Sequence, residues 1–361
     1  MRNNKENGAL KIVFFSSALA VLTAIVLLSI IISVGLGSVD ISVAEIWSII
    51  RFNMFGAGSI DAVKKSTVDI VWLVRLPRII LAVLCGIGLS TTGVIMQATV
   101  KNSLADPYIL GVSSGASFGA TLAITVMVSI GATAWLGPNF IGIAACAMAF
   151  AASLLVMGIA NIKGRANSVK LLMAGVAISS IFSAFSSFLI FTAKDREAMR
   201  TVSFWLMGGF SGAKWEGIKV LAVIVFLALI FFITQYRTLN LMLLGDDVSI
   251  TLGKDLHRYR ITYLLICSVM IGFLVYNAGI VGFVGLIVPH IARVFWGTNH
   301  RNVLPASALI GAIILIWADV FARTGINGSG EIPVGVVISL IGAPVFLYLL
   351  INKEYGFGGK G

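Results

Sequence analysis

Ten apolar segments follow one another along this chain, each near the roughly 20 residues that a helix needs to cross a bilayer. Of the 361 residues, 58% are hydrophobic and only 11% are charged, against about 25% charged residues in soluble domains. No water-soluble core needs so much apolar surface, so we expect an all-α polytopic membrane protein. The predicted spans are 12–36, 77–100, 109–130, 139–161, 169–192, 215–236, 261–278, 279–297, 303–322 and 333–351.

The two ends of the chain set the predicted topology. The first apolar run is longer than the core of a signal peptide, which has about 7–15 residues, so we interpret it as a retained span. The tail before it, "MRNNKENGALK", is basic and therefore favours the cytoplasmic side. Ten spans return the C-terminus to that side, and the prediction is a single transmembrane domain over residues 1–361.

The net charge of +11 does not indicate a nucleic-acid-binding surface. The Lys and Arg residues are scattered over the loops and form no dense tract. Basic residues beside spans commonly anchor them at the membrane surface. We therefore expect lipid, and no nucleic acid, as the partner of these charges.

The sequence contains no pattern typical of an enzyme. The phosphate-binding pattern G-x-x-x-x-G-K-[ST] is absent, because neither Gly-Lys pair is followed by Ser or Thr. The histidines share no metal spacing, and the cysteines stand alone in apolar runs. We expect no catalytic, cofactor or metal site, loop positions for His257 and His300, a packing role for His290, and buried apolar roles for Cys85, Cys146 and Cys267.

A glycine-rich stretch, "GVSSGASFG", follows a predicted helix break at Pro107. Gly111, Gly115 and Gly119 are spaced four apart, so they share one face of a helix. This face suits close packing against another helix or, alternatively, the lining of a pathway. We favour close packing.

Charged residues inside the predicted spans are few. Asp319 and Arg323 are four residues apart, so they share a helix face and can pair. Glu331 lies just before the last span, with Pro333 suited to its first turn. We interpret these charges first as structural anchors.

The segment "LNLMLLGDDVSITLGKDLHRYR", residues 239–260, interrupts this apolar pattern. Gly245 can end a first short helix in the left-handed conformation, and Asp246 can cap a second. Asp247 then lies in a first helical turn, where an anion is favoured, and Gly253 ends the second helix. Apolar contact area comes from Val248, Ile250 and Leu252. By itself the segment fits either a solvated loop or a docking element.

Several long motifs, in a consistent order, resemble the membrane permeases of bacterial ABC importers for iron-siderophores, heme and cobalamin. They are "RLPR" (75–78), "GIGLSTTGVIMQATVKNSLADPYILGVSSGA" (86–116), "GFVGLIVPHIARVFWGTNHRNVLPASALIGA" (282–312) and "WADVFARTGINGSGEIPVGVVISLIGAPVFLYLL" (317–350). The resemblance runs from about residue 70 to residue 351. It implies ten-span subunits that pair into a dimer in the cytoplasmic membrane of a bacterium, two cytoplasmic ATPase subunits and an extracytoplasmic binding protein.

The resemblance also gives the 239–260 segment a role. In this family the loop between the sixth and seventh spans forms two short coupling helices that fit a cleft on the ATPase. The coupling segment is then about 239–256, and the predicted contact residues are Leu239, Leu243, Gly245, Asp246, Asp247, Leu252 and Gly253.

Two further sets of residues are carried over from the family. Its outward arginines, which pair with acidic residues of the binding protein, correspond to Arg75, Arg78 and Arg323. Its cytoplasmic gate corresponds to Asn102, Leu104, Ser168 and Val169. The sequence departs from the family at Ser103, where proline is usual, and at Val169, where a polar residue is expected.

The resulting functional hypothesis is a type II importer permease for a ferric siderophore or a similar iron chelate. The alternative within the same mechanism is heme or cobalamin as cargo. A membrane-embedded enzyme or a proton-coupled carrier would need ionisable groups near mid-membrane, and the predicted spans carry almost none away from their ends. Homo- and heterodimers both stay open.

Overall fold

The computed structural model describes residues 2–37, 39, 41–61, 63–129, 139–162, 164, 167–193, 196–325 and 330–352, and within these ranges all regular structure is helical. The helices are α1 Arg2–Gly35, α2 Val43–Phe55, α3 Lys65–Asp69, α4 Leu76–Val100, α5 Val112–Ser129, α6 Phe140–Asn161, α7 Ser168–Thr192, α8 Arg196–Leu206, α9 Trp215–Thr234, α10 Tyr236–Leu244, α11 Asp246–Thr251, α12 His257–Ala278, α13 Val284–Trp296, α14 His300–Thr324 and α15 Val334–Asn352.

The prediction of an all-α polytopic membrane protein is confirmed. Seven helical segments are long and apolar enough to cross a bilayer, and two shorter apolar helices, α13 and α15, accompany them. Each of the ten predicted spans lies on a helix of its own. Nine of them lie on the seven long segments and on α13 and α15, and the remaining one lies on the 18-residue α5. The seven long segments are Val13–Gly35, Lys65–Val100, Phe140–Asn161, Ser168–Thr192, Trp215–Thr234, His257–Ala278 and His300–Thr324.

Helix α4 is the centre of the bundle. It packs against α9, α12, α13 and α14, and nearly all of its residues are buried. Gly86 meets Gly311 of α14, and Gly93 meets Gly285 of α13, so closely that a Cβ atom at Gly86 or Gly93 would collide with the opposing backbone. Without a hydrophobic effect between helices in lipid, such close backbone approach is what holds spans together.

The start of α4 is wound more loosely than the rest. Ile70–Arg75 forms a π-helical segment that joins α3 to α4. The Leu76 amide donates to the Val71 carbonyl, five residues back. In this register the Trp72 carbonyl would pair with Pro77, which has no amide hydrogen. The carbonyl of Trp72 instead accepts a hydrogen bond of 2.8 Å from the Trp215 indole.

Two non-helical segments meet inside the bundle. Residues 101–111 contain a 3₁₀ turn at Pro107–Leu110, which confirms the predicted break. Residues 279–283 lie between α12 and α13. The Tyr108 hydroxyl donates to the Val281 carbonyl at 3.1 Å, and Pro107 packs on Gly285. Backbone that is not helical at membrane depth needs such partners from the protein.

The predicted eighth span, 279–297, is only partly correct. Its helix α13 begins at Val284 and has 13 residues, about 20 Å at 1.5 Å per residue, less than the roughly 30 Å of the hydrocarbon core. Gly279, at φ 66°, and Phe283, at φ 64°, interrupt the helix. The preceding non-helical segment therefore completes the crossing.

Gly115 and Gly119 of α5 pack against α6, as predicted, whereas Gly111 lies before the helix at φ 72° and does not share its face. A Cβ on Gly115 would collide with the backbone of Met148, and one on Gly119 with that of Ala144. Close helix packing, and not the lining of a pathway, explains this spacing of Gly115 and Gly119.

Candidate functional site

The predicted coupling segment folds as two short helices, α10 and α11, joined at Gly245. Gly245 has φ 101° and ψ 169°, a backbone conformation that is open essentially to glycine alone. The predicted left-handed end of the first helix is therefore wrong in detail, since ψ lies far from the left-handed helical value. Gly253, at φ 76°, follows the second helix as predicted.

Asp246 does not cap α11. Gly245 occupies the N-cap position, and Asp246 is the first helical residue. Its carboxylate instead pairs with Arg260 of α12 at 2.8 Å. The Asp247 side chain lies outside the described residues.

The two faces of the α10–α11 pair differ in kind. Leu239 and Met242 are buried against the bundle, so the predicted contact residue Leu239 anchors α10 to its own chain. Leu243 is half-buried. The opposite face carries four apolar side chains that are between 43% and 61% exposed, namely Leu244, Val248, Ile250 and Leu252.

Three other elements of the chain gather at this end, which we call the coupling end. Asn240 of α10 accepts a hydrogen bond of 2.9 Å from the His300 amide at the start of α14. Its amide group donates to Asn299 at 3.0 Å. Lys101, just after α4, donates to the Leu244 carbonyl at 3.4 Å. His257 and His300 are the first residues of α12 and α14, which corrects their predicted loop positions.

The predicted gate residues lie near this end in two separate places. The backbone amide of Asn102 donates to the Gln97 carbonyl at 3.1 Å. The Asn102 side-chain oxygen accepts a hydrogen bond from the Leu104 backbone amide at 2.9 Å. Both residues are therefore fixed to the end of α4. Ser168 begins α7, and Val169 beside it is exposed. The structure does not test the gating role, which stays a prediction.

The three predicted docking arginines lie together at the opposite end, which we call the arginine end. Arg75 is buried and donates to the carbonyls of Val34, at 2.8 Å, and Gly35, at 2.9 Å, which end α1, and to that of Val39 beyond the helix, at 2.6 Å. A guanidinium can satisfy several orphan carbonyls of a helix end at once. Arg75 therefore ties the end of the first span to α4.

Arg78 and Arg323 also bind groups of their own chain. Arg78 pairs with Asp319 at 2.7 Å and with Glu331 at 2.7 Å. Arg323 donates to Leu36 at 2.7 Å and lies 3.5 Å from Asp319, which confirms the predicted pair. Asp319 is shared by two arginines, and only Glu331 is substantially exposed, at 51%. Docking of a partner on these arginines is untested and stays a prediction.

A match to a known family covers most of the chain. The model of the FecCD transport family matches residues 25–352. The chain belongs to the FecCD transport family.

Relatives of known name support this membership. The iron(3+)-hydroxamate import system permease protein FhuB of Bacillus subtilis is 35% identical over 90% of this chain and 80% of its own length. The cobalamin import system permease protein BtuC of Halobacterium salinarum is 39% identical over 79% of this chain and 74% of its own. A solved inward-facing structure of a putative metal-chelate type ABC transporter, 29% identical, superposes with a TM-score of 0.80, covering 94% of this chain and all of that one.

A large cavity opens at the arginine end of this FecCD family member. Its volume is about 1440 Å³, beyond the roughly 300–1,000 Å³ typical of small-molecule sites. Arg78 and Glu331 belong to its wall, together with Trp205, Tyr276 and Asn277. Among the described residues, no group of three or more His, Cys, Asp or Glu could hold a metal ion. A cavity of this volume, with both polar and apolar walls, suits a bulky ligand.

Sequence reasoning missed the polar side chains that fasten the coupling end. Arg260 pairs with Asp246, and Arg293 of α13 donates to the Gln97 side chain. Their partners are distant in sequence, so no spacing rule connects them. The available signal was the position of Arg260 directly before the predicted span 261–278, where a buried arginine needs a partner.

Proposed function

We propose that this chain is the membrane-spanning permease subunit of an ABC importer that carries a ferric siderophore or a similar iron chelate. Energy comes from ATP hydrolysis on a separate subunit, because the sequence of this chain contains no phosphate-binding loop. Family membership and the helical architecture support this role.

One observation carries the proposal: the exposed apolar side chains of α10–α11. Leu244, Val248, Ile250 and Leu252 are exposed on a segment that lies between two spans. Exposed apolar side chains gathered on so short a segment favour an interaction site. A cleft on a partner ATPase would cover these side chains and push on a rigid helix pair.

The proposed assembly contains two copies of such a permease, identical or paralogous, with two ATPase subunits and an extracytoplasmic binding protein. The coupling end and both chain termini are proposed to face the cytoplasm of a bacterium. The arginine end then faces the binding protein. Since Arg75, Arg78 and Arg323 already have internal partners, acidic groups of a binding protein would have to share Arg78 with the half-exposed Glu331.

The proposed transport step alternates access between the two ends. The binding protein releases the chelate at the arginine end, and closure of the ATPase pair is transmitted through 239–256 to the segments around Asn102, Leu104, Ser168 and Val169. Such coupling requires two states with different affinities for nucleotide and cargo.

The cargo is proposed from relatives of mixed specificity. FhuB is named for ferric hydroxamate and BtuC for cobalamin, so an iron chelate is compatible with the family, and heme or cobalamin is the alternative. A proton-coupled carrier is the rival of a different class. Within the spans, Asp319 is engaged with Arg78 and Arg323 at the arginine end, which does not favour that rival.

Reconstitution tests the proposal. The chain is purified with the ATPase that co-purifies with it and placed in proteoliposomes containing ATP, and radioactive iron is offered as a ferric hydroxamate on the binding protein. We expect uptake only with both ATP and the ATPase, and no effect of an uncoupler. Heme and cobalamin are offered in parallel, and the fastest accumulated cargo decides the specificity.

The matched control omits the ATPase and imposes a proton gradient. Uptake that persists under those conditions, and that the uncoupler abolishes, would establish a carrier and overturn the proposal.

A further inference from the structure

The pair between Arg260 and Asp246 is the most strongly built contact of the coupling helices. Arg260 Nη2 lies 2.8 Å from Asp246 Oδ1, and Nη1 lies 3.3 Å from Oδ2. Both carboxylate oxygens are therefore engaged by one guanidinium, a geometry that fixes orientation as well as distance. Asp246 is the first residue of α11, so the pair fixes the start of that helix.

The third donor of Arg260 reaches a different element. Arg260 Nε donates to the Thr99 carbonyl at 3.2 Å, and Thr99 lies in the last turn of α4. The Arg260 side chain is only 6% exposed, whereas that of Asp246 is 46% exposed. A buried guanidinium thus joins α12, the last turn of α4 and the partly exposed α11.

The last turn of α4 leads directly into the predicted gate. Lys101 ends α4 in the left-handed conformation, at φ 52°, and Asn102 is bonded to the Gln97 carbonyl. The Leu104 amide in turn bonds the Asn102 side chain. A displacement of the Thr99 carbonyl therefore moves a short, hydrogen-bonded segment and is not absorbed by a flexible loop.

The other polar contacts of the coupling helices make this connection more weakly, since the Thr99 hydroxyl lies 4.0 Å from the sulfur of Met242 in α10, and a thioether is a weak acceptor. Lys254 bonds Thr238 of α10 at 2.8 Å, which stays within the coupling segment. Asn240 connects α10 to α14. Lys101 contacts the Leu244 carbonyl at 3.4 Å in an exposed position, where a flexible lysine transmits little force.

From this geometry we infer that Arg260 is the positioning residue that transmits movement of α11 to the last turn of α4 and to the Asn102–Leu104 segment. The inference rests on the proposed function, in which an ATPase moves α10 and α11. It predicts that removing the guanidinium separates ATP hydrolysis from transport while the ATPase stays bound.

The experiment measures cargo taken up per ATP hydrolysed in proteoliposomes that contain the full assembly. For Arg260→Ala we expect this ratio to fall about 5- to 150-fold, the usual range for loss of a coupling free energy, with ATPase association unchanged within about twofold. Arg260→Lys should fall in between, because an ammonium cannot form the bidentate pair and reach the Thr99 carbonyl together.

Asp246→Asn is the second variant, needed if Arg260→Ala fails to fold. It keeps the shape of the side chain and leaves the buried Arg260 with Thr99, so insertion should be normal while the uptake ratio falls. The exchange Asp246→Arg with Arg260→Asp should not recover the ratio, because an aspartate at position 260 cannot donate to the Thr99 carbonyl.

Arg258→Ala serves as the matched control, because Arg258 is exposed and lies two residues from Arg260 on the same helix. The amount of cargo taken up per ATP hydrolysed should be the same for Arg258→Ala as for the wild type. A normal ratio in Arg260→Ala or Asp246→Asn, in a wild-type assembly that does couple, would overturn this inference alone. A wild-type assembly without ATP-dependent uptake would instead overturn the proposed function.

A purely structural role for Arg260 predicts a different pattern. Hydrolysis and uptake would then decline together, in proportion to the amount of folded protein, and their ratio would stay constant. That result would also overturn the inference.

Discussion

The arginine end and the coupling end of this bundle treat charge and apolar surface in opposite ways. At the arginine end, Arg78 and Arg323 pair with Asp319 and Glu331, and Arg75 and Arg323 donate to carbonyls at the end of α1. At the coupling end, a single arginine–aspartate pair holds a helix pair whose outer face is apolar and exposed. The charges of one end are engaged within the chain, whereas the other end exposes apolar side chains.

This contrast predicts that the arginine end contributes mainly to folding stability and the coupling end mainly to assembly with a partner. Charges that are buried and shared stabilise the fold only while every partner is present, because an uncompensated buried charge is costly. Exposed apolar side chains contribute little to the fold of their own chain but much to an interface. Substitutions at the two ends should therefore differ in what they damage, and the four predictions below run from the largest expected effect to the smallest.

Asp319→Asn should produce the largest loss of stability. The substitution removes the one carboxylate that Arg78 and Arg323 share and leaves both guanidiniums poorly compensated. We expect the free energy of unfolding to fall by about 3–5 kcal/mol, measured by thermal unfolding in detergent. Asp61→Asn, at an exposed position, is the control and should change it by less than about 0.5 kcal/mol. Equal effects of the two variants would contradict the view that the charges of the arginine end stabilise the fold.

Gly245→Ala should strain the junction between α10 and α11. Alanine at φ 101° costs about 1–3 kcal/mol, and the strain is confined to the coupling end. Hydrogen exchange should accelerate in α10 and α11 but not in α4, and ATPase association should weaken. Gly158→Ala in α6, where an added Cβ meets nothing within 4 Å, should leave both measurements unchanged. Uniform exchange across the bundle in Gly245→Ala would refute a local effect.

Ile250→Asp should reduce ATPase association by about tenfold or more, equivalent to about 1.4 kcal/mol, without a measurable loss of folding stability. The side chain is exposed, so its replacement removes interface area and little internal packing. Pull-down of the ATPase with the purified permease measures the change. Thr251→Asp introduces the same charge beside it while keeping Ile250, and it should retain most of the association. Full association in Ile250→Asp would show that the apolar face is not the docking surface.

Glu331→Gln should have the smallest effect, about 0–1 kcal/mol of folding stability. Its carboxylate is half exposed, so water and salt already screen its attraction to Arg78. The difference from wild type should shrink further at about 1 M salt, measured again by thermal unfolding. A loss as large as that of Asp319→Asn would place Glu331 inside the buried network and remove the distinction between the two acids.

Sequence patterns predicted the helices well and their ends less well. The lengths of the apolar runs located all ten spans, because lipid demands a fully hydrogen-bonded helix of a given length. They did not show that α13 begins only at Val284, since Gly279 and Phe283 break the helix within an unbroken apolar run. Hydrophobicity reports which solvent a segment meets and says little about where its backbone bends.

For the candidate site, too, the sequence predicted some features correctly and missed others. Glycine spacing and the family resemblance located α10 and α11, and the exposure of Val248, Ile250 and Leu252 agrees with that reading. The assigned role of Asp246 as a helix cap was wrong, because its partner Arg260 is brought to it by the fold. The arginines at 75, 78 and 323 were expected to face outward, and the structure gives each of them internal partners.

By itself, the sequence determined that this chain is an all-helical polytopic membrane protein with no phosphate-binding loop and a polar interruption at 239–260. Those properties follow from composition and local spacing, which act along the chain. Only the tertiary structure decided which charges neutralise which. Ion pairs such as Arg78 with Asp319 and Arg260 with Asp246 depend on distances between helices, and those distances are set by the close packing of small residues along α4 and not by any local pattern.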